Sequence, residues 1–318
     1  MRTFLEFERP VADVFGKIAE LRAVGDESAV DGSDEIAKLQ DKAEKALAEI
    51  YAKLTPWQKT EVARHPDRPH VSRYIAKLME DFSPLAGDRA YAEDAAVMAG
   101  IGRFRGRSVA VMGTERGADT ESRLKHNFGM ARPEGYRKAK RIMALAERFN
   151  LPVVTLIDTS GAYPGVGAEE RGQAEAIART TEAALQLSVP TVAVIIGEGG
   201  SGGALALATA NKVLMLEHAV YSVISPEGAA SILWRDSTRA QEAAASMKIT
   251  AQDLLRLGVI DTIVEEPIGG AHRDPNTAIE AVGAAIQAAI DGLSTTEPSA
   301  LKSARAQRFL DIGRTLDS

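Results

Sequence analysis

At 318 residues and 45% hydrophobic composition, the chain has apolar material for a full core, as one large domain or one domain with an appendage. Its net charge of −6 argues against a nucleic-acid footprint, the absence of cysteine excludes disulfides and thiolate zinc sites, and its five histidines are not paired at metal-ligand spacing, so no catalytic metal is expected. No apolar run approaches the roughly 18 residues of a membrane span, and the start, MRTFLEFERP, is too charged for a secretory signal, which fits a cytoplasmic protein.

In chain order, Phe4, Leu5, Phe7 and Phe15 are expected to pack on something, and Gly25 to Ser33 reads as a polar loop ending in a helix cap. From Asp34 the pattern becomes regular: Ile36, Leu39, Ala43, Leu47, Ile50 and Leu54 recur at three- and four-residue steps, beside the acid-before-base pairs Asp34/Lys38, Asp41/Lys45 and Glu49/Lys53. That predicts a long amphipathic helix, ended by Pro56. The segment Ala63 to His70 sets two histidines and Asp67 among prolines; a metal or acid–base site is one reading, and a braced loop is the commoner outcome for such residues. Residues 97 to 113 read as two strands joined at Arg105-Gly106. Asn127 to Pro133 is a loop, and Pro133 opens a helix to Phe149. On it Arg137, Lys138, Lys140 and Arg141 stand together, as a solvated face or as a landing site for the phosphates of a nucleotide-like ligand.

Leu151 to Ile157 is apolar without alternation, the pattern of a parallel strand buried on both faces. It delivers the glycine-containing loop Asp158 to Gly167, and Ala168 to Leu187 follows as a helix. A second strand, Val192 to Ile196, then runs into Gly197-Glu198-Gly199-Gly200-Ser201-Gly202-Gly203 and a helix starting near Gly202. Two strand–loop–helix units in succession imply a parallel sheet with right-handed crossovers, which binds ligands beyond the carboxyl ends of its strands. Five glycines in seven positions would be costly in a mere connector. They predict a backbone anion or oxyanion site at a helix N-terminus, with main-chain groups of Gly199, Gly200, Gly202 and Gly203 as donors. The plainer alternative is a turn that lets the helix pack tightly on the sheet.

The same residues match G-x-S-x-G, the nucleophile elbow of serine hydrolases, with Ser201 as nucleophile and His218 or His272 with Asp236 or Asp261 as partners. Farther on, Lys212 to Leu216 and Val220 to Ile224 read as strands, Ser225-Pro226-Glu227 and Thr250 to Asp253 as helix starts, and Val259 to Val264 as a strand. Thr277 to Leu293 is a final amphipathic helix before a polar tail.

The segments NFGMARPEGYRKAKR (127 to 141), IDTSGAYPGVGAEERGQAEAIA (157 to 178), IIGEGGSGGALALA (195 to 208), YSVISPEGAASILW (221 to 234) and EPIGGAHR (266 to 273) resemble the α-subunit family of bacterial acetyl-coenzyme A carboxylase carboxyltransferases. The likeness runs from FLEFE through ARHPDRP to the GGAHR loop. One departure is Ser160, where the family usually has proline. The resemblance implies an α/β, crotonase-like superhelix of ββα units over residues 91–295, an N-terminal helical extension over 1–90 and a polar C-terminal tail over 296–318. It implies transfer of the carboxyl group from carboxybiotin, carried on a biotin carboxyl carrier protein, to acetyl-CoA, giving malonyl-CoA for fatty acid synthesis. A zinc-ribbon β subunit, required for activity, is implied as partner in an α2β2 core, with ATP spent by a separate biotin carboxylase. Gly161, Ala162, Tyr163 and Gly165 would then wall the site, with Ser201, Arg137 and Lys138 also toward substrate. No side chain stands out as a general base, and the freed biotin nitrogen can take the proton itself.

Overall fold

A computed structural model describes residues 3–28 and 33–314. Its helices are α1 (Arg9–Ser28), α2 (Ser33–Tyr51), α3 (Pro56–Ala63), α4 (Val71–Leu78), α5 (Thr120–Lys125), α6 (Pro133–Arg148), α7 (Val166–Glu170), α8 (Gln173–Gln186), α9 (Ser201–Ala208), α10 (Pro226–Trp234), α11 (Ala240–Met247), α12 (Ala251–Arg256), α13 (Pro275–Leu293) and α14 (Pro298–Asp311). Its strands are β1 (Met79–Pro84), β2 (Val97–Phe104), β3 (Arg107–Thr114), β4 (Val153–Thr159), β5 (Thr191–Gly200), β6 (Lys212–Leu216), β7 (Val220–Ser222) and β8 (Thr262–Val264). One sheet runs β1-β2-β3-β4-β5-β6-β8, with β7 pairing β5. β1, β2 and β3 are antiparallel neighbours, and the strand pairs beyond β3 are parallel, with one isolated antiparallel bridge from Val220 to Thr250.

The β2–β3 hairpin turns at Arg105-Gly106, both at positive φ (46° and 80°), which matches the right-handed twist of the flanking strands. Every residue of β4 and β5 is buried, as the unalternating sequence requires, because helices cover both faces of the sheet. α6, α8 and α9 pack together over β2 to β5, while α4 and α13 pack together over the same core.

Several expectations shift at element ends. The loop expected over Gly25 to Ser33 is helical through Ser28, and the described chain resumes at Ser33; residues 29–32 lie outside the described residues. α2 ends at Tyr51, and Pro56, expected as a terminator, is the first residue of α3, where Thr55 and Gln58 form a capping box. The helix expected over Ala168 to Leu187 is broken into α7 and α8 by Gly172 at φ 80°. Only Thr262–Val264 of the last predicted strand pairs. β1 falls inside the expected N-terminal extension yet belongs to the sheet. The expected polar tail carries α14, docked through Leu301 and a fully buried Arg305. α1 and α2 gather Phe4, Leu5, Phe7 and Phe15 against Val11, Leu47, Tyr51 and Val62. Buried Glu8 joins this cluster to the GGAHR loop through Tyr51 (3.0 Å) and Arg273 (2.9 Å).

Candidate oxyanion site where two glycine-rich segments cross

The glycine-rich segment is strand for longer than expected. β5 runs to Gly200, so Gly197, Gly199 and Gly200, predicted as loop, lie in the sheet, with Gly199 opposite Thr159 and Tyr221 and Gly200 opposite Ser222. Their need for glycine is spatial. A Cβ at Gly197 would lie 2.6 Å from the Asp158 carboxylate, one at Gly199 2.9 Å from the Tyr221 ring, and one at Gly200 2.3 Å from the Ser160 carbonyl. The residue that takes the left-handed backbone here is Ser201, at φ 54°.

That kink starts α9 with its first turn pressed on the segment leaving β4. A Cβ at Gly203 would meet Ala162 N, Gly161 C and Tyr136 Oη, each at 2.8 Å, and Gly161 itself sits at φ 142°. Gly200 is the N-cap and supplies no side-chain cap, so the first-turn N–H groups of Ser201, Gly202 and Gly203 have no partner within the helix. The Ala162 N–H also lacks an acceptor among the described residues. The free donors at the crossing are thus Ser201, Gly202, Gly203 and Ala162. Gly199 and Gly200, expected beside Gly202 and Gly203, contribute the ladder that holds them.

Two cavities flank the crossing. The polar one, about 670 Å³, is lined by Arg64, His65, His70, Arg116, Ser160 and Glu198, among others. Its charges answer one another. Glu198 lies between Arg64 (2.7 Å) and Arg116 (2.8 Å), and Arg64 reaches on to Glu227 (2.6 Å). Asp158, wholly buried, accepts from the Glu198 N–H and meets His70 Nδ1, both at 3.1 Å, and lies 3.5 Å from Arg116. Burial alone would raise its pKa, but Arg116 and His70 hold it below the ordinary carboxylate value. A register shift, in which Ile157 faces Ile195 but Thr159 faces Gly199, turns the Glu198 amide toward Asp158. Beneath lies a buried Arg68–Glu266 pair at 2.6 Å, with Arg68 Nε also on the Ile196 carbonyl at 2.8 Å; despite burial, Arg68 holds the Glu266 carboxyl down to about 2. His65 stacks on His272 at 3.8 Å.

His65 and His70, expected to brace a loop, do so and also line this cavity. Arg64, Arg116, Asp158 and Glu198 are not singled out by their motifs as site residues. The signal was present: Asp158 and Glu198 are single acids at the ends of two otherwise apolar strands.

The apolar cavity, about 570 Å³, opens on Ser201 and Gly202 and is walled by Leu205, Tyr221, Val223, Met247, Phe309 and Ile312, with Arg308 at its side. The other predicted positions fall elsewhere. Tyr163 and Gly165 line a separate cavity with Arg132 and Arg171. Arg137 is spent on Asp88 (2.8 Å), Glu134 (2.9 Å) and the Arg171 carbonyl, and buried Lys138 on Glu93 and the Asp94 carbonyl (2.8 Å). Arg141 holds the Leu85 and Gly87 carbonyls, so this basic helix, expected to face solvent or phosphates, pins the 85–94 loop; only Lys140 stays exposed.

The nucleophile elbow lacks its base. His218 packs edge-on to Tyr51, His272 stacks on His65, Asp236 caps a short turn and Asp261 holds the Val213 N–H and Arg308; none bonds Ser201. A strained, exposed serine without a histidine is not a hydrolase site.

The family model described as "Acetyl co-enzyme A carboxylase carboxyltransferase-like" matches residues 4–313. The chain belongs to this family. A protein named acetyl-coenzyme A carboxylase carboxyl transferase subunit alpha from Methylobacterium nodulans is 67% identical over 317 residues, 99% of this chain and 100% of the relative. One of the same name from Azorhizobium caulinodans is 64% identical over the same shares. Among solved structures, transcarboxylase 12S is similar at a TM-score of 0.58 and 21% identity, over 72% of this chain and 42% of that one. A subunit of a Pseudomonas malonate decarboxylase hetero-tetramer is similar at 0.57 and 15% identity, over 70% and 91%. These likenesses carry the fold alone, which is the crotonase-like one expected for the carboxyltransferase family.

Proposed function

We propose that the chain is the α subunit of an acetyl-CoA carboxylase carboxyltransferase, active with a β subunit and moving a carboxyl group from carboxybiotin to acetyl-CoA. What supports this most directly, beyond family membership, is the set of unpartnered N–H groups at the crossing beside an apolar cavity. Biotin arrives on its carrier protein and supplies the carboxyl group. The residues present suit it: an uncharged bicyclic ring needs apolar walls, and its ureido oxygen needs donors already in place.

The N–H groups of Ser201 and Gly202, at the positive end of α9 and on the cavity wall, would stabilise negative charge on that ureido oxygen as the carboxyl group is lost; one such donor is worth about 3 kcal/mol when removed from a comparable site. The apolar walls from Leu205 and Tyr221 offer a bound ring a surface that does not compete for the donors. Asp158 and Glu198, held by Arg64 and Arg116, keep the two strand ends in register so that the donors converge. Among the described residues no carboxylate or imidazole touches the crossing, so the chain would leave the proton lost by the acetyl group of acetyl-CoA to be taken up within the bound group itself, at the nitrogen from which the carboxyl group departs. The β subunit completes the acyl-CoA side in an α2β2 assembly, and ATP is used by a separate biotin carboxylase.

The test is biocytin-dependent decarboxylation of malonyl-CoA by this chain alone and after mixing with a β subunit. Activity is expected only in the mixture and is expected to vanish in Gly203→Val. An inactive mixture that demonstrably forms a complex would overturn the reading.

A further inference from the structure

The apolar cavity is completed by residues a hundred positions downstream of the crossing, on a helix that the sequence presents as a polar tail. α14 is anchored to the core. Arg305 is fully buried and donates to the carbonyls of Ala184 (2.9 Å), Leu187 (2.6 Å) and Val189 (3.2 Å), to Thr191 Oγ1 (3.1 Å) and to Asn211 Oδ1 (2.5 Å). A guanidinium satisfied by carbonyl, hydroxyl and amide oxygens, with no carboxylate, fixes one helix position rather than a loose contact. One turn on, Arg308 donates through Nη2 to the Val259 carbonyl (2.7 Å) and pairs with Asp261 (3.0 Å). Its Nη1 is buried and has no partner among the described residues. Phe309 and Ile312 follow as cavity wall.

A buried guanidinium nitrogen without a partner costs stability unless an acceptor reaches it, and Arg308 belongs to the wall of the cavity. The ligand these features describe is uncharged and apolar over most of its length, with one acceptor oxygen for the donors of Ser201 and Gly202 and a second for Arg308. An acetyl group is too small to need about 570 Å³, and the phosphates of coenzyme A would need several cations, whereas the walls carry few. A ureido ring on an aliphatic arm that ends in an amide has both acceptors.

We propose that α14 is the specificity element for the biotin arm: Phe309 and Ile312 form the wall against which ring and arm lie, and Arg308 Nη1 donates to the amide oxygen of the arm. This rests on the carboxyltransferase reading above.

The test uses the αβ complex and free biocytin in malonyl-CoA decarboxylation, with Phe309→Ala, Ile312→Ser and Arg308→Met. KM for biocytin should rise about tenfold or more in each, while KM for malonyl-CoA stays within about twofold, as expected for lost binding to one substrate alone. Phe309→Leu should restore most of the loss. If the Phe309→Ala complex fails to assemble, Ile312→Ser decides, since Ile312 is 38% exposed at the end of the helix. Unchanged biocytin KM in well-folded variants, or a rise in malonyl-CoA KM instead, overturns the role of α14. An inactive wild-type complex overturns the carboxyltransferase reading itself.

Discussion

The two cavities beside the crossing solve opposite problems at one sheet edge. On the polar side Arg64, Arg116, Glu198, Glu227 and Asp158 pair with one another, and the leftover groups among the described residues are the imidazole Nε2 atoms of His65 and His70. On the apolar side the donors of the first turn of α9 and Arg308 Nη1 are left over. Paired charges hold a main chain still, and free main-chain donors can serve a ligand. Under the proposed function the polar network is the scaffold of the site and the apolar cavity its working face, although charged residues are what a search for catalysts would reach first.

The largest effect that sharpens this contrast should come from glycines on the crossing. Gly200→Ala drives a Cβ to 2.3 Å from the Ser160 carbonyl, where neither backbone can yield without moving the donors. Carboxyl transfer should fall by about 10² to 10³, the size of losing an oxyanion donor, with roughly 2 kcal/mol of overpacking strain. Gly202→Ala, whose nearest neighbour is Ile177 Cγ2 at 3.5 Å, should retain most of its activity and stability. Equal losses in steady-state assays of the two variants would show that the turn needs glycine for another reason.

Next in size is the scaffold. Glu198→Gln leaves Arg64 and Arg116 facing a neutral amide in a site where Glu198 is 7% exposed, which should cost about 3 kcal/mol in denaturant unfolding. Val223→Ser, on the working face and 82% exposed, should leave stability within about 0.5 kcal/mol while weakening biocytin binding. If Glu198→Gln lowered activity with stability untouched, Glu198 would be a reacting group and the contrast would fail.

Acid should act on the scaffold first. Burial, followed by neighbouring positive charge, pulls the His272 pKa down to about 2, and burial also lowers that of its stacking partner His65. Both native pKa values lie below the unfolded value, so the unfolded chain binds protons first as pH falls. The stability of the neutral stack is thus fully present above about pH 6.5 and is lost below it. For His272 this amounts to roughly 2 kcal/mol between pH 6.5 and 5, before the depressed carboxylates Asp158 and Glu266 begin to contribute below about pH 4.5. Melting His272→Phe at pH 7 and pH 5 should show a smaller drop than wild type; parallel drops would place the acid sensitivity elsewhere.

Much of this was readable from the chain. Unalternating Leu151 to Ile157 and Val192 to Ile196 read as buried parallel strands, and glycine density marks the crossing. Which glycines give donors was not readable, because Gly199 and Gly200 are required by Ser160 and Tyr221, neighbours that only the fold supplies. Nor was the role of α14, since its long face reads as polar and its value lies in Arg305, whose acceptors are spread from Ala184 to Asn211. Lys138 misled for the converse reason: a lysine in a basic helix reads as solvated until Glu93 and the Asp94 carbonyl are folded over it.

The smallest predicted effect separates backbone from side chain at one residue. Ser201 supplies the kink at φ 54°, and its hydroxyl has no hydrogen-bond partner among the described residues. Ser201→Ala keeps the N–H and should cost less than about tenfold in transfer, whereas loss of a nucleophilic serine costs about 10⁶. Ser201→Gly should go the other way in stability, gaining up to about 1 kcal/mol because glycine adopts the left-handed backbone without strain, offset in part by its greater freedom when unfolded. A collapse of activity in Ser201→Ala with the melting point unchanged would mean that the hydroxyl, and not the main chain around it, touches the reacting group. In that event the apolar cavity would have to be refitted around a ligand that bonds Ser201 directly.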